Sequence, residues 1–137
     1  MTKKILCPTD GTPHSMLAVA VAAELALKYG AELSICVVNV AHGGGRGPLI
    51  NHWNDEEVAK ILADAAAEAK LAGITSVHTA EVVDREAASG IVGYAETHQI
   101  DHFVMGTGDK RGVKRLVLGS VAAEVSGQAH CSVTVAR

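Results

Sequence analysis

The sequence predicts an α/β protein with an open, five-stranded parallel sheet and helices on both faces. Short apolar runs rich in β-branched residues alternate along the 137-residue chain with longer segments of helical periodicity. The run Leu33 to Val40 is too apolar for a sheet with one wet face, so it predicts a strand buried on both sides. A strand and a helix precede it at short spacing, and this order forms a right-handed parallel βαβ unit.

This first unit begins with the run Ile5 to Cys7, which the turn sequence Pro8-Thr9-Asp10-Gly11 brings to an end. The pair Thr12-Pro13 is typical of a helix N-cap followed by the first helical residue. The helix predicted from Met16 to Tyr29 carries apolar residues at helical spacing and ends at Gly30.

The segment from Ala41 to Asn54 interrupts the alternation. Its central part, His42-Gly43-Gly44-Gly45-Arg46-Gly47-Pro48, predicts neither helix nor strand and is long for a connection in an α/β domain. Two interpretations stand, a lid over a ligand and a disordered excursion. The four glycines raise the entropic cost of ordering the segment, which favours disorder.

The second half of the chain continues the alternation. Asn54 or Asp55 can cap a helix that runs through Ala72, with acidic residues favourably placed in its first turn. The remaining predicted elements are a strand at Val77 to Val83, a helix at Glu86 to Gln99, a strand at His102 to Gly106, a helix at Ser120 to about Ser126 and a strand at Ser132 to Ala136.

Length and composition limit the possible functions. With 137 residues and 48% hydrophobic residues the chain is predicted to be one domain, and its net charge of −3 argues against a nucleic-acid-binding surface. Cys7, Cys36 and Cys131 show no C-x-x-C spacing, so we expect buried free thiols and a cytoplasmic location. No apolar stretch reaches the length of a membrane span, and the seven scattered histidines do not suggest a metal site.

The stretch Phe103 to Val121 carries the clearest indication of a ligand. A predicted strand ends in a cluster of glycines, four cations follow at Lys110-Arg111 and Lys114-Arg115, and Gly119-Ser120 opens a helix. Backbone N–H groups in such a loop, together with the partial positive charge of a helix N-terminus, suit a phosphate group. From spacing alone, a surface turn made soluble by its cations explains the same residues equally well.

The segment Met105-Gly106 to Leu118-Gly119-Ser120, preceded by Asp101-His102-Phe103-Val104, resembles the signature of the universal stress protein family: Gly, two residues, Gly, nine residues, Gly, then Ser or Thr. The opening, Lys4 to Thr12, and the ending, Cys131 to Val135, are similar to that family's first and last strands. The resemblance implies a strand order of 3-2-1-4-5 with a ligand crevice at the switch point between strands 1 and 4. It also implies a homodimer paired through the strand Ser132 to Ala136.

The resemblance assigns a nucleotide site as well. Asp10 and the second strand near Val38 would face the adenine and ribose, and the glycine loop would hold the phosphates. The full set of expected ligand-binding residues is Pro8, Thr9, Asp10, Val38, Gly106, Thr107, Gly108, Asp109, Gly119 and Ser120. Simpler structural roles are also open, with Asp10 as a turn residue bonded to its own backbone and Ser120 as a helix cap.

Two positions depart from the family pattern. Asp109 stands on the second signature glycine, where its carboxylate would repel phosphate, although Gly108 or the four cations of the loop could compensate. The triplet Arg85-Glu86-Ala87 replaces the family's Gly-Asp-Pro before the third helix. Arg85 could either contact a phosphate or block the ribose.

Two functions follow from these observations. The first, which we favour, is a stress-response regulator that binds ATP or AMP, with magnesium accompanying ATP. The second is a dimeric module that binds an unidentified protein partner and no nucleotide, which Asp109 and Arg85 favour. An ATPase or kinase is not expected, because the chain has no G-x-x-x-x-G-K-[ST] motif and no identifiable carboxylate set for magnesium and a base, although slow hydrolysis is compatible with the sequence.

Overall fold

The computed structural model describes residues 1–107 and 118–137. Six strands and four helices lie within these residues. In chain order they are β1 (Lys4–Pro8), α1 (Pro13–Tyr29), β2 (Glu32–Gly43), β3 (Leu49–Asn51), α2 (Asp55–Leu71), β4 (His78–Asp84), α3 (Ala87–Thr97), β5 (His102–Gly106), α4 (Ser120–Gln128) and β6 (Ser132–Ala136). The five predicted strands and four predicted helices are confirmed, with ends that differ by a few residues.

Five of the strands form a parallel sheet in the order β4-β2-β1-β5-β6. This confirms the order 3-2-1-4-5, since β4, β5 and β6 are the third, fourth and fifth strands of the prediction. Ile5 of β1 lies beside Leu33 of β2 on one side and beside His102 of β5 on the other. β1 is therefore central, and the chain leaves β1 and β5 towards opposite faces of the sheet.

Alternate residues of the strands enter two separate cores. Ile5 and Cys7 pack with α1 and α2 on one face, whereas Leu6, which lies between them, packs with α3 and α4 on the other. α1 meets the sheet through small side chains such as those of Ala22 and Ala26, which allow close approach. Because helices cover both faces, β2 is buried along most of its length, as its apolar composition predicts.

The predicted capping residues begin the first two helices. The side chain of Thr12 accepts a hydrogen bond from the backbone N–H of Ser15 (3.3 Å), and Pro13 occupies the first helical position of α1. α2 begins with a capping box, in which Asn54 and Glu57 each accept a hydrogen bond from the other's backbone N–H. These caps fix the start of α1 directly after β1 and the start of α2 directly after the glycine-rich segment.

Two of the three cysteines are inaccessible. Cys7 and Cys36 are free and fully buried, and Cys131 is free and partly exposed. Burial raises the pKa of the Cys36 thiol to about 12 and also raises the pKa of Cys7, so both thiols stay protonated at neutral pH. Separately, no helix of residues 1–107 and 118–137 is both long and apolar enough to cross a membrane.

The structure contradicts the prediction of disorder for the segment from Ala41 to Asn54. This segment forms neither a disordered excursion nor a plain loop, because β2 continues to Gly43 and turns back into β3, with His42 paired antiparallel to Ile50. The backbone of Gly43 has φ of 82°, and a Cβ there would lie 2.5 Å from the carbonyl oxygen of Pro48. The glycine cluster therefore supplies the turn that the hairpin requires, and its ordering cost is offset by strand pairing.

Candidate functional site

A cavity of about 660 Å³ opens beyond the carboxyl ends of β1, β2 and β5. This is the switch point of the sheet, where open α/β proteins bind ligands, and the volume suits a small organic molecule. The lining residues come from the strand ends, from α1, α3 and α4, and from the β2–β3 hairpin and the residues after it. They are Pro8, Thr9, Asp10, Thr12, His14, Ser15, Val38, Val40, His42, His52, Trp53, Ala87, Ile91, Met105, Gly106 and Val121.

Half of the predicted ligand residues line this cavity. These are Pro8, Thr9, Asp10, Val38 and Gly106. Thr107 is buried next to Gly106, and Gly119 and Ser120 lie at the start of α4, directly before the cavity residue Val121. Gly108, Asp109 and the four cations of the loop lie outside the described residues. Five of the eight predicted residues that the structure describes thus line one cavity, and the other three lie close to lining residues in the chain.

Hydroxyl groups hold the turn after β1. The Ser15 hydroxyl donates to the Thr12 carbonyl (2.9 Å), so Ser15 Oγ is left to accept the hydrogen bond from Thr9 Oγ1 (2.8 Å). Both side chains are almost completely buried. The backbone N–H of Thr9 donates to the carbonyl of Cys36 in β2 (2.8 Å). The turn is therefore tied both to α1 and to the neighbouring strand before any ligand arrives.

Asp10 has the structural role that the sequence analysis gave as its alternative to ligand binding, that of a turn residue bonded to the nearby backbone. Its Oδ1 accepts hydrogen bonds from the backbone N–H (3.0 Å) and the hydroxyl (2.6 Å) of Thr12. Burial acts to raise the pKa of Asp10, but the hydrogen bonds from Thr12 and Ser15 outweigh it, so the pKa lies below its ordinary value. The cavity therefore has a fixed, charged acceptor at neutral pH.

The first and third signature glycines make close backbone contacts. A Cβ on Gly106 would lie 2.8 Å from the carbonyl oxygen of His14, at the start of α1. A Cβ on Gly119 would lie 2.6 Å from the carbonyl oxygen of Thr107. Any side chain at either position would force backbone atoms apart. These two glycines are therefore required by packing, whatever the cavity binds.

The start of α4 carries no side-chain cap. Gly119 occupies the N-cap position without a side-chain hydrogen bond, and the exposed Ser120 is the first helical residue. The interpretation of Ser120 as the cap is therefore wrong. The N-cap is the residue before the first helical residue, and here that residue is Gly119. An N-terminus capped by glycine leaves first-turn N–H groups to an anion or to water.

The hairpin adds cavity residues that the sequence analysis missed. His42 lies in β2 within the hairpin, and His52 and Trp53 follow it. The buried side chain of Asn39 bonds both backbone groups of Trp53, accepting from its N–H (2.8 Å) and donating to its carbonyl (2.9 Å). Asn39 also donates to Glu81 Oε2 (2.8 Å). A polar amide side chain in the middle of a largely apolar strand was the sequence signal for this anchoring.

Arg85 contacts the hairpin and is not among the residues that line the cavity. Its Nη2 lies 2.9 Å from where a Cβ on Gly44 would be. The structure therefore places Arg85 against the hairpin, and its predicted effect on a phosphate or on the ribose stays a prediction. Within residues 1–107 and 118–137, no group of three or more His, Cys, Asp or Glu side chains is arranged to hold a metal ion.

Comparison with known proteins identifies the family. The model of the Universal stress protein family matches residues 1–137, the full length of the chain. The chain belongs to the universal stress protein family. It is 37% identical over 141 residues to Universal stress protein MJ0531 of Methanocaldococcus jannaschii, in an alignment that covers 98% of this chain and 82% of that protein.

Solved universal stress proteins share the fold. One that was crystallised in complex with cAMP has a TM-score of 0.78 at 23% identity, covering 98% of this chain and 97% of that chain. The universal stress protein from Archaeoglobus fulgidus in complex with dAMP has a TM-score of 0.70 at 23% identity, covering 100% and 98%. At this level of identity the comparison establishes the α/β architecture.

Proposed function

We propose that this universal stress protein binds an adenine nucleotide, ATP or AMP, in the cavity beyond β1 and β5, and that it acts as a stress-response regulator. The observation that carries the proposal is the meeting of two features at one opening: the fixed Asp10 carboxylate after β1 and the uncapped start of α4 after β5. The carboxylate suits ribose hydroxyls, and the helix start suits a phosphate. The two solved relatives with cAMP and dAMP carry ligands that contain an adenine base, a sugar and a phosphate.

In this proposal the ten residues divide between the two ends of the nucleotide. Pro8, Thr9, Asp10 and Val38 border the base and ribose, and Gly106, Thr107, Gly108, Asp109, Gly119 and Ser120 border the phosphates. The four cations between Lys110 and Arg115 offset the negative charge of Asp109.

The proposed role is binding without efficient turnover. Asp10 is the only carboxylate among the described residues that line the cavity, so they supply no pair of carboxylates for a magnesium ion and a general base. A magnesium ion would therefore enter together with ATP. The buried free thiols Cys7 and Cys36 support a reducing, cytoplasmic setting.

Isothermal titration of nucleotide-stripped protein with ATP and AMP, with and without magnesium, tests the proposal. We expect dissociation constants in the micromolar range for at least one of the two nucleotides. No heat of binding up to millimolar nucleotide would contradict it and would favour the second function, a dimeric module that binds a protein partner.

The variant Asp109→Gly tests the departure from the family pattern. If the Asp109 carboxylate repels phosphate, its removal should tighten ATP binding, by a factor that shrinks as salt is added. Asp64→Asn is the matched control, because it removes the same charge from the exposed surface of α2 and should leave affinity unchanged. Equal affinity of Asp109→Gly and the parent protein would mean that Asp109 points away from the ligand.

The protein is further proposed to form a homodimer through β6. This strand lies at the edge of the sheet, next to β5 alone in the strand order, and Val133 is only partly buried. An edge strand presents unpaired backbone groups, which pairing across a two-fold axis would satisfy. The dimer is compatible with either function, since β6 lies beyond β5 and away from the hairpin.

A further inference from the structure

Trp53 is the tryptophan among the residues that line the cavity. The residue is partly buried and lines the opening, and its ring packs edge-on against His52, with ring centroids 4.7 Å apart and an interplanar angle of 75°. His52 lines the same cavity. An aromatic pair of this geometry favours one orientation of the indole ring over others.

The backbone that carries this ring is fixed in advance. Asn39 is 1% exposed, and its amide holds both the N–H and the carbonyl of Trp53, while the N–H of His52 donates to the carbonyl of Val40 (2.9 Å). The antiparallel pairing of β3 with the end of β2 holds the preceding residues. A loop residue bonded in this way contacts a ligand without a further loss of backbone entropy on binding.

The two sides of the cavity differ in polarity. Val38 and Val40 of β2 line the same cavity as Trp53, and Ile91 of α3, which packs in one apolar cluster with Val38, lines it as well. The polar groups of the Thr9-to-Ser15 turn and the start of α4 lie after β1 and β5. The cavity therefore offers an apolar, aromatic region on the β2 side and polar groups beyond β1 and β5.

We propose that Trp53 contacts the base of the bound nucleotide and makes the site prefer ligands that carry a flat aromatic ring. This inference rests on the proposed function, because it assumes that a nucleotide occupies the cavity. Stacking on an aromatic side chain requires a ring face and discriminates weakly between bases. Trp53 is thus a specificity residue for base-containing over base-free sugar phosphates.

The chain contains a single tryptophan, so its fluorescence reports on this position alone. Titration with AMP should change the intensity or the emission maximum of Trp53, whereas ribose 5-phosphate at saturation should change it much less. Trp53→Leu should weaken AMP binding by about 5- to 150-fold, the factor that corresponds to one base stacked on an aromatic ring, and should leave ribose 5-phosphate binding unchanged. Trp53→Phe should restore most of the AMP affinity.

Tyr29→Leu is the matched control, because Tyr29 is an exposed aromatic residue at the end of α1 outside the cavity lining. If AMP binds the parent protein by calorimetry but leaves the fluorescence of Trp53 unchanged, the inference fails and the proposed function stands. If Trp53→Leu weakens AMP and ribose 5-phosphate equally, Trp53 acts on the cavity as a whole and the base contact is refuted. If the parent protein binds neither AMP nor ATP, the proposed function fails and the inference fails with it; if it binds ATP alone, the same titrations are made with ATP in place of AMP.

Discussion

Replacing Asn39 by alanine should release the backbone of Trp53 from the sheet. The substitution removes three hydrogen bonds of 2.8 to 2.9 Å, two to Trp53 and one to Glu81. At a net contribution of about 0.5–1.5 kcal/mol for each bond, the free energy of unfolding should fall by about 1.5–4.5 kcal/mol. The lower part of this range applies if the freed backbone groups of Trp53 reach water.

Two measurements test the prediction for Asn39→Ala. Urea unfolding gives the loss of stability, and hydrogen exchange of the Trp53 amide gives the local effect, which should be a marked loss of protection. Asn51→Ala is the matched control, because Asn51 is an exposed residue of β3 and its loss should change stability by less than about 0.5 kcal/mol. If Asn39→Ala keeps the parent stability and the Trp53 amide stays protected, Asn39 does not hold this segment and the reasoning is wrong.

Three further predictions concern other parts of the molecule. Gly93→Ala should raise the free energy of unfolding by up to about 1 kcal/mol, because a Cβ there meets no atom within 4 Å. Gly90→Ala should lower it, because a Cβ at Gly90 would lie 3.1 to 3.2 Å from side-chain atoms of β2 and β4. Chemical denaturation compares the two variants, and a gain in stability at both positions would refute the packing argument. The lowered pKa of Asp10 means that its charge stabilises the fold above the ordinary carboxylate pKa of about 3.9 and that this contribution is lost as the pH falls through the lower folded value. The stability difference between the parent protein and Asp10→Asn should therefore be present at neutral pH and disappear in strong acid, and a difference independent of pH would contradict it. Val133→Asp should give monomers or insoluble protein in sedimentation experiments, and an unchanged dimer would exclude pairing through β6.

The packing of Gly106 and Gly119 changes what the glycine signature indicates. Both positions exclude a side chain because backbone carbonyls lie 2.6 to 2.8 Å from where a Cβ would be. The signature therefore reports the close approach of β5 to α1 and of α4 to the residue after β5, and this geometry is needed with or without a ligand. In the proposed function, nucleotide binding would depend in addition on the residues between them, where Asp109 departs from the family pattern.

The sequence predicted the fold well because its signals are local. Thr12-Pro13 and Asn54 with Glu57 cap their helices through bonds within three residues, and the apolar run of β2 predicts burial on both faces from composition alone. The family resemblance supplied the strand order, which no local pattern contains. With that order, the turns after β1 and β5 must meet at one edge, so the approximate position of the cavity also followed.

The hairpin was decided by contacts between residues distant in sequence. Asn39 bonds Trp53 at a separation of 14 residues and Glu81 at a separation of 42, and Arg85 lies against Gly44. From the sequence alone, four glycines indicated a costly segment to order. Only the tertiary structure shows that strand pairing and a buried amide offset this cost. The alternation of apolar runs determined the sheet and its helices, whereas long-range hydrogen bonds determined which aromatic ring lines the cavity.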